Sequence, residues 1–387
     1  MAELNETPSA NRIRIAFFGL RNAGKSTLVN AFTGQPIAIV SDVAGTTTDP
    51  VSKAMEILPL GPCLVTDTAG LDDVGELGRM RVEKTLKVLE TTDIAVWVEG
   101  DECVRGDAEA RNAHAMFLDA CNRRSVTVLE YRRGDSVEEL KQRIAAAKLT
   151  EVTPGLLDGL VKRGDRVLCV CPIDESAPKG RLILPQVQVI RACLDIGAVA
   201  TVCQPVDVRR ETEDRDYDLV ITDSQAFGEV ARAIDCAGRR GGASATGPRL
   251  TSFSILFARQ KGDIAAYVDG LNGLKRLKDG DSVLIAEGCT HHRQCNDIGT
   301  VKIPKAIAKL TGRKLNFSFA SGSSFSIPPP SSLLSPPSLI VQCGGCMLTR
   351  RDVLRRIALA KAAGVPIVNY GMVLALAAGV DLERCVK

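Results

Sequence analysis

The string Gly19-Leu20-Arg21-Asn22-Ala23-Gly24-Lys25-Ser26 has the residue types and spacing needed to hold phosphate. It follows an apolar strand at 13–18 and opens a helix at 25–33. Glycines at that junction let the backbone curl, so that N–H groups from Gly19, Asn22, Ala23, Gly24, Lys25, Ser26 and Thr27 turn toward phosphate oxygens, with the positive end of the new helix behind them. Lys25 is then placed for the β- and γ-phosphates and the Ser26 hydroxyl for Mg²⁺. Two further motifs fit the same chemistry. Asp67-Thr68-Ala69-Gly70 follows a strand at 63–66 and offers a carboxylate to Mg²⁺ and the Gly70 N–H to a γ-phosphate. Gly45-Thr46-Thr47-Thr48-Asp49 lies in a loop, where Thr47 can close over Mg²⁺ only when a γ-phosphate is present.

A second chemistry is carried by sulfur. Cys289-Thr290-His291 follows an apolar strand at 283–286, and Cys343-Gly344-Gly345-Cys346 follows another at 339–341, 343 − 289 = 54 positions later. Both motifs leave the carboxyl ends of expected parallel strands, where ligand crevices form in open α/β sheets. Two glycines between two cysteines allow both thiols to face one side. Three readings compete: a buried or redox pair, a structural zinc site, and an iron–sulfur site with a replaceable fourth ligand. Spacing alone ranks zinc slightly above iron–sulfur.

The elements that must position these groups alternate between strand and helix. Strands are expected at 13–18, 63–66, 94–98 and 126–129, with helices at 25–33, 79–90 and 108–122, which argues for a parallel α/β sheet. The rhythm returns with strands at 167–171 and 219–222 and helices at 186–194 and 227–234. The Gly/Ser/Arg-rich stretch 238–247 and the Pro/Ser tract 327–338 are expected as loops. A chain of 387 residues exceeds one ordinary core. The expected division is a P-loop domain at 1–160, a second α/β domain at 161–262 and a third at 263–387. The formal charge of +3 and an aromatic content of 4% give no nucleic-acid signature, and no apolar run reaches membrane-spanning length. No export signal is visible at the acidic start, so the 13 cysteines argue for thiols rather than disulfides and the cytoplasm is the expected location.

The three phosphate-site motifs resemble the translation-factor-like GTPases, and more narrowly the tRNA-modification GTPase group. The resemblance implies GTP hydrolysis to GDP and phosphate, with Asn22 helping to hold a K⁺ ion beside the transferring phosphate. Leu71 stands where Ras-like proteins place a glutamine, so water must be oriented otherwise. Glu76 is a candidate by position, and a solvated loop carboxylate is an equal reading of it. Guanine recognition departs from the group: Arg132-Arg133-Gly134-Asp135 replaces Asn-Lys-x-Asp, leaving Asp135 to accept from the base.

Over nearly the whole chain, Glu287-Gly288-Cys289-Thr290-His291-His292, Asp297-Ile298-Gly299, Val301-Lys302-Ile303-Pro304 and Cys343-Gly344-Gly345-Cys346-Met347 resemble the HydF family of GTPases that mature [FeFe]-hydrogenase. The resemblance decides the cysteine site in favour of a [4Fe-4S] cluster on Cys289, Cys343 and Cys346. The fourth ligand is open among His291, Asp297, Cys295, Asn296 and solvent. It further implies a homodimer formed through the middle domain and a cluster-binding third domain. A transient diiron precursor would pass to apo-[FeFe]-hydrogenase, with radical-SAM maturation proteins as partners. Gln342 departs from the family, many of whose members have histidine before the Cys-Gly-Gly-Cys string. The alternatives are a K⁺-dependent GTPase of tRNA modification or ribosome assembly, and a zinc-stabilised regulatory GTPase.

Overall fold

The computed structural model describes residues 8–35, 50–72, 75–100, 108–147, 153–173, 182–238, 248–288, 297–322, 325–327, 335–380, 382 and 385. The chain divides into two compact units, Met1–Val152 and Thr153–Lys387.

In the first unit the order is β1 (Ile13–Phe18), α1 (Lys25–Thr33), β2 (Val51–Ile57), β3 (Gly61–Asp67), α2 (Gly75–Leu89), β4 (Ile94–Glu99), α3 (Ala108–Arg123), β5 (Thr127–Arg132) and α4 (Val137–Ala145). The sheet order is β2-β3-β1-β4-β5, parallel throughout except for β2, which runs antiparallel to β3 at one edge. Sequence periodicity does not announce β2, because its alternation of exposed and half-buried residues belongs to an edge strand. Side chains alternate across β1. Ile15 and Phe17 join Leu28, Val29 and Phe32 on one face, while Ala16 and Phe18 join Leu89, Trp97 and Phe117 on the other. Each fully buried apolar side chain of this size contributes about 1.5–3 kcal/mol, so covering both faces fixes the strand.

Two boundaries differ from the sequence expectation in ways that touch the site. β5 runs on through Arg132, so the 132–135 turn starts at the strand's end rather than after a gap. The helix expected at 79–90 begins at Gly75, which puts Glu76 in its first turn rather than in a loop.

The second unit holds two all-parallel sheets. The first contains β6 (Arg166–Val170), α5 (Leu184–Ile196), β7 (Val199–Cys203), α6 (Val208–Asp214), β8 (Leu219–Thr222), α7 (Phe227–Gly238), β9 (Arg249–Ser252) and α8 (Phe253–Lys261), in sheet order β7-β6-β8-β9. The second contains α9 (Ile264–Arg276), β10 (Ser282–Glu287), α10 (Ile303–Thr311), β11 (Asn316–Ser321), β12 (Leu339–Gln342), α11 (Arg350–Ala362), β13 (Ile367–Asn369) and α12 (Tyr370–Ala377), in sheet order β11-β10-β12-β13. One apolar core runs through both, from Leu168, Val170 and Val220 to Val283, Ile285, Val341 and Val368. That continuity is why the two sheets form one unit. β7 lies at the edge of its sheet with Val199 and Val202 exposed. Among the described residues, no helix is long and apolar enough to cross a membrane, and the cysteines are free thiols.

Candidate functional site

The phosphate-loop residues sit where β1 gives way to α1. Gly19 has φ +155° and a side-chain carbon there would lie 2.6 Å from the Val98 carbonyl oxygen, so neighbouring β4 leaves room only for glycine. Asn22 adopts the left-handed region at φ 57°, which asparagine tolerates better than most residues, and its side chain is exposed. Gly24 caps α1. Lys25 is buried, with Nζ donating to the carbonyls of Leu20 at 2.6 Å and Gly19 at 3.3 Å. Those bonds hold its charge against the loop's own backbone.

Parallel pairing of β1 with β3 puts Phe17 beside Asp67, and the Ser26 hydroxyl donates to Asp67 Oδ2 at 2.6 Å. The other carboxylate oxygen, Oδ1, is buried and has no hydrogen-bond partner among the described residues. Burial raises the Asp67 pKa, opposed by the Ser26 bond, the Lys25 charge and the Thr68 N–H. A hydroxyl and a carboxylate side by side, one oxygen unpartnered, suit a hard oxygen-seeking cation; Ser26 and Asp67 fit Mg²⁺, and such an ion restores the favoured ionised form. The Asp-x-x-Gly turn is latched to the phosphate loop. Leu71 N–H donates to the Gly19 carbonyl at 3.2 Å, and Arg21 N–H donates to Asp72 Oδ1 at 2.6 Å. A side-chain carbon on Gly70 would meet the Arg21 backbone nitrogen at 2.8 Å. Sequence reading missed the Arg21–Asp72 latch, since Arg21 fills an unspecified position of the phosphate loop and Asp72 lies just beyond the Asp-x-x-Gly motif. Thr47 lies outside the described residues, and so do the side-chain atoms of Glu76.

At the far end of the sheet, Asp135 is exposed and its Oδ2 accepts the Arg132 N–H at 2.8 Å, while Asp135 N–H donates to the Arg132 carbonyl at 2.9 Å. Tyr131 Oη donates to the Asp135 carbonyl at 3.0 Å, and the Arg132 guanidinium pairs with Glu99 at 2.8 Å. The degraded motif thus builds a closed turn that holds Asp135 at the carboxyl edge. One carboxylate oxygen is engaged by the turn.

The cysteine site forms at the carboxyl edge of the sheet β11-β10-β12-β13. After β10 the chain goes to one side for β11 and then to the other for β12, so β10 and β12 flank the point where strand order reverses. Gly288 ends the described part of the β10 loop, and its N–H donates to Cys343 Sγ at 3.1 Å. Cys289 is the next residue; it, His291, Cys295 and Asn296 lie outside the described residues. Asp297 caps the short helix at Ile298–Lys302, its Oδ2 accepting from Thr300 N–H at 2.8 Å and the Thr300 hydroxyl at 2.9 Å. Cys343 N–H bonds the Ala286 carbonyl at 3.0 Å, and Gly344 packs on Ser254 of α8.

Burial raises the Cys343 pKa, opposed by the N–H groups of Gly345 and Gly288 and by Arg356. Burial pushes Cys346 up to about 11, with Cys343 adding and Lys261 opposing. Neutral thiols are therefore favoured until a metal group takes them as thiolates. Two sulfurs with an N–H already aimed at one, and buried cations alongside, fit thiolate ligation of an iron–sulfur cluster or zinc. The cations Lys261 and Arg356 carry no sequence signal, since nothing in a helix's residue order says that a lysine is buried. Gln342, buried before Cys343, donates from Nε2 to Tyr267 Oη at 3.3 Å. Cys385 is also buried, and its carbonyl accepts from the Thr251 hydroxyl at 2.8 Å.

Residues 156–262 match the hydrogen maturase F dimerization domain, and residues 265–387 match the hydrogen maturase F tetramerization domain. Together these span more than half of the chain. It belongs to the HydF family. The HydF descriptions name assembly for both carboxyl-terminal regions, dimerization over 156–262 and tetramerization over 265–387. The first unit of this HydF chain is a GTPase domain: residues 14–130 match the 50S ribosome-binding GTPase family. GTPase Der of Wolinella succinogenes is 43% identical over 99 residues, 25% of this chain and 20% of that protein. The tRNA modification GTPase MnmE of Zymomonas mobilis is 37% identical over 99 residues, 25% of this chain and 23% of that protein. The chain spans about a fifth of the length of these relatives.

The phosphate-site geometry makes Lys25→Ala and Ser26→Ala informative. Each is expected to abolish Mg²⁺-dependent GTP hydrolysis, measured as phosphate release, while circular dichroism stays unchanged. Wild-type turnover in either variant would remove the phosphate-loop assignment.

Proposed function

We propose that this HydF chain hydrolyses GTP in its first unit and uses the nucleotide state as a switch on a metallocluster scaffold. The scaffold carries a [4Fe-4S] cluster, receives or assembles the diiron precursor of the [FeFe]-hydrogenase active site, and delivers it to apo-hydrogenase, with radical-SAM maturation proteins upstream. The working parts are residues 1–160 for nucleotide, 161–262 for homodimer formation and 263–387 for the cluster. The observation that carries the cluster reading is the 3.1 Å bond from Gly288 N–H to Cys343 Sγ, which brings the residue before Cys289 against a second cysteine of the set. Cys289, Cys343 and Cys346 would be the thiolate ligands, with His291 a replaceable fourth ligand or a hydrogen-bond donor to one of them. A bound cluster supplies an iron site that can exchange a ligand. The chain's own part is to hold the loops at one sheet edge.

In the nucleotide unit, Ser26, Asp67 and Thr47 would hold Mg²⁺, which neutralises charge on the phosphate oxygens. Gly70 would bond the γ-phosphate through its N–H, and Asn22, exposed at the loop's turn, would help hold K⁺. Lys25 and Asn22 thereby place positive charge at the transferring phosphate, and Glu76, in the first turn of α2, is a candidate to orient water. The tRNA and ribosome functions named for the GTPase relatives belong to those proteins. The HydF match over 156–262 and 265–387 favours hydrogenase maturation for this chain.

Cys343→Ala is expected to lower iron and sulfide content after anaerobic reconstitution and to end activation of apo-hydrogenase, read as hydrogen evolution, while GTP hydrolysis persists. Full loading with normal activation would return zinc or a buried thiol pair to first place. Asp135→Asn is expected to weaken GTP and favour xanthosine triphosphate, because an amide donor replaces one acceptor facing the base; an unmoved preference places base recognition elsewhere. Hydrolysis is expected to run faster in K⁺ than in Na⁺ at matched ionic strength, and equal rates would remove Asn22 from an ion site.

A further inference from the structure

Lys261 ends α8, in the sheet that precedes the cysteine-bearing one, and is only 1% exposed. Its ammonium group has three N–H donors, and three carbonyls of one loop receive them: Leu348 at 2.8 Å, Gly345 at 3.2 Å and Cys346 at 3.3 Å. The Phe257 ring lies 5.2 Å from the nitrogen. Arg356, 2% exposed, does the matching task on the other side. It donates to the Glu287 carbonyl at 3.2 Å, two residues before Cys289, and to the Gly322 carbonyl at 2.7 Å. The 343–348 loop and the end of β10 are thus each held through the backbone by a buried cation. The groups able to carry negative charge that act on Lys261 are Cys346, Asp352 and Cys343.

Burying an ammonium is costly unless charge and hydrogen bonds compensate it. Three carbonyls satisfy the hydrogen bonds of Lys261 but bring no formal charge. A neutral donor on a side chain of similar length would serve a loop that needed fastening alone. A lysine can add a positive charge beside two thiols, where anionic ligands would sit; burial lowers its pKa to about 8 and those negative neighbours oppose the fall, and in a low-dielectric setting such a charge acts strongly on any electron added nearby.

We propose that Lys261 is a positioning residue for the cluster: it presets the 343–348 loop for metal and, by its charge, stabilises the reduced state of the bound group. This rests on the iron–sulfur reading of the cysteine site. The step concerned is [4Fe-4S]²⁺ + e⁻ → [4Fe-4S]⁺, with the electron from an external reductant such as the chemical titrant and no proton transfer. The middle domain, which the family description assigns to dimerisation, thereby contributes to the electronic environment of a site in the third.

The test uses the full chain, reconstituted anaerobically, as wild type, Lys261→Arg, Lys261→Gln and Asp352→Asn. Iron and sulfide content, circular dichroism and an EPR-monitored redox titration are read for each. Lys261→Arg keeps donors and charge and should titrate as wild type. Lys261→Gln keeps a donor without charge; poised at the wild-type midpoint, its ratio of reduced to oxidised cluster should fall at least tenfold, about 59 mV for a one-electron couple. Asp352→Asn removes a negative charge near the same site and should shift the midpoint the opposite way. GTP hydrolysis should be unchanged in all, since its residues lie in the other unit. Lys261→Gln titrating with wild type at equal iron content would overturn the proposal. If Lys261→Gln does not fold, an unmoved or lowered midpoint in Asp352→Asn overturns it instead. Failure of wild type to take up iron and sulfide would sink the cluster reading itself. Co²⁺, followed by its thiolate charge-transfer band, then reports on the loop: at least tenfold weaker binding in Lys261→Gln supports the positioning role, and equal binding ends it.

Discussion

Parallel strand register is the constraint on which both sites depend. β1 pairs with β3 from Ile13↔Cys63 to Phe17↔Asp67, so the loop that follows β1 and the carboxylate that ends β3 must emerge together. β10 pairs with β12 from Val283↔Leu339 to Ala286↔Gln342, so Gly288 and Cys343 emerge together in the same way. Both strand pairs are buried on two faces, and a one-residue slip would turn each apolar set inside out. Register and core therefore enforce one another, and the chemistry at the strand ends inherits its spacing from the packing beneath it.

The two sites share an electrostatic plan. Each sets acidic groups whose ionised form burial disfavours, Asp67 in one and Cys343 with Cys346 in the other, next to a buried lysine. Lys25 and Lys261 both rest their ammonium groups on backbone carbonyls of the loop that carries the ligand residues. A loop tied by its carbonyls keeps its N–H groups turned outward, toward phosphate in one case and sulfur in the other. A cation at Asp67 would supply the positive charge that favours its ionised form, and a thiolate-binding metal would do the same for the two cysteines.

The second unit shows how a shared core distributes responsibility. Leu168 and Val220 of one sheet and Val283 and Val341 of the other belong to one apolar cluster, which lets α8 lie against a loop of the sheet that follows it. Ser254 against Gly344, Gln260 accepting from Arg350 at 2.6 Å, and Lys261 on the cysteine loop all follow from that placement. A region named for assembly is thus also part of the wall of the cysteine site.

The sequence by itself determined the phosphate loop, the Asp67 motif, the alternation of strand and helix, and the pairing of two cysteine strings with two strand ends. These are local: an apolar run, a glycine at a turn and a Lys-Ser step bind their neighbours in the chain to one conformation. What only the tertiary structure decided is long-range. β2 joins as an antiparallel edge because β3 offers it a free side. Glu76 belongs to a helix because α2 starts a turn earlier than its apolar periodicity shows. Arg21 meets Asp72, and Lys261 meets the carbonyl of Leu348, across 51 and 87 positions of sequence. A charged side chain looks the same in a sequence whether water or a folded loop surrounds it; burial, which makes Lys261 and Arg356 consequential, is a property of the packed chain alone.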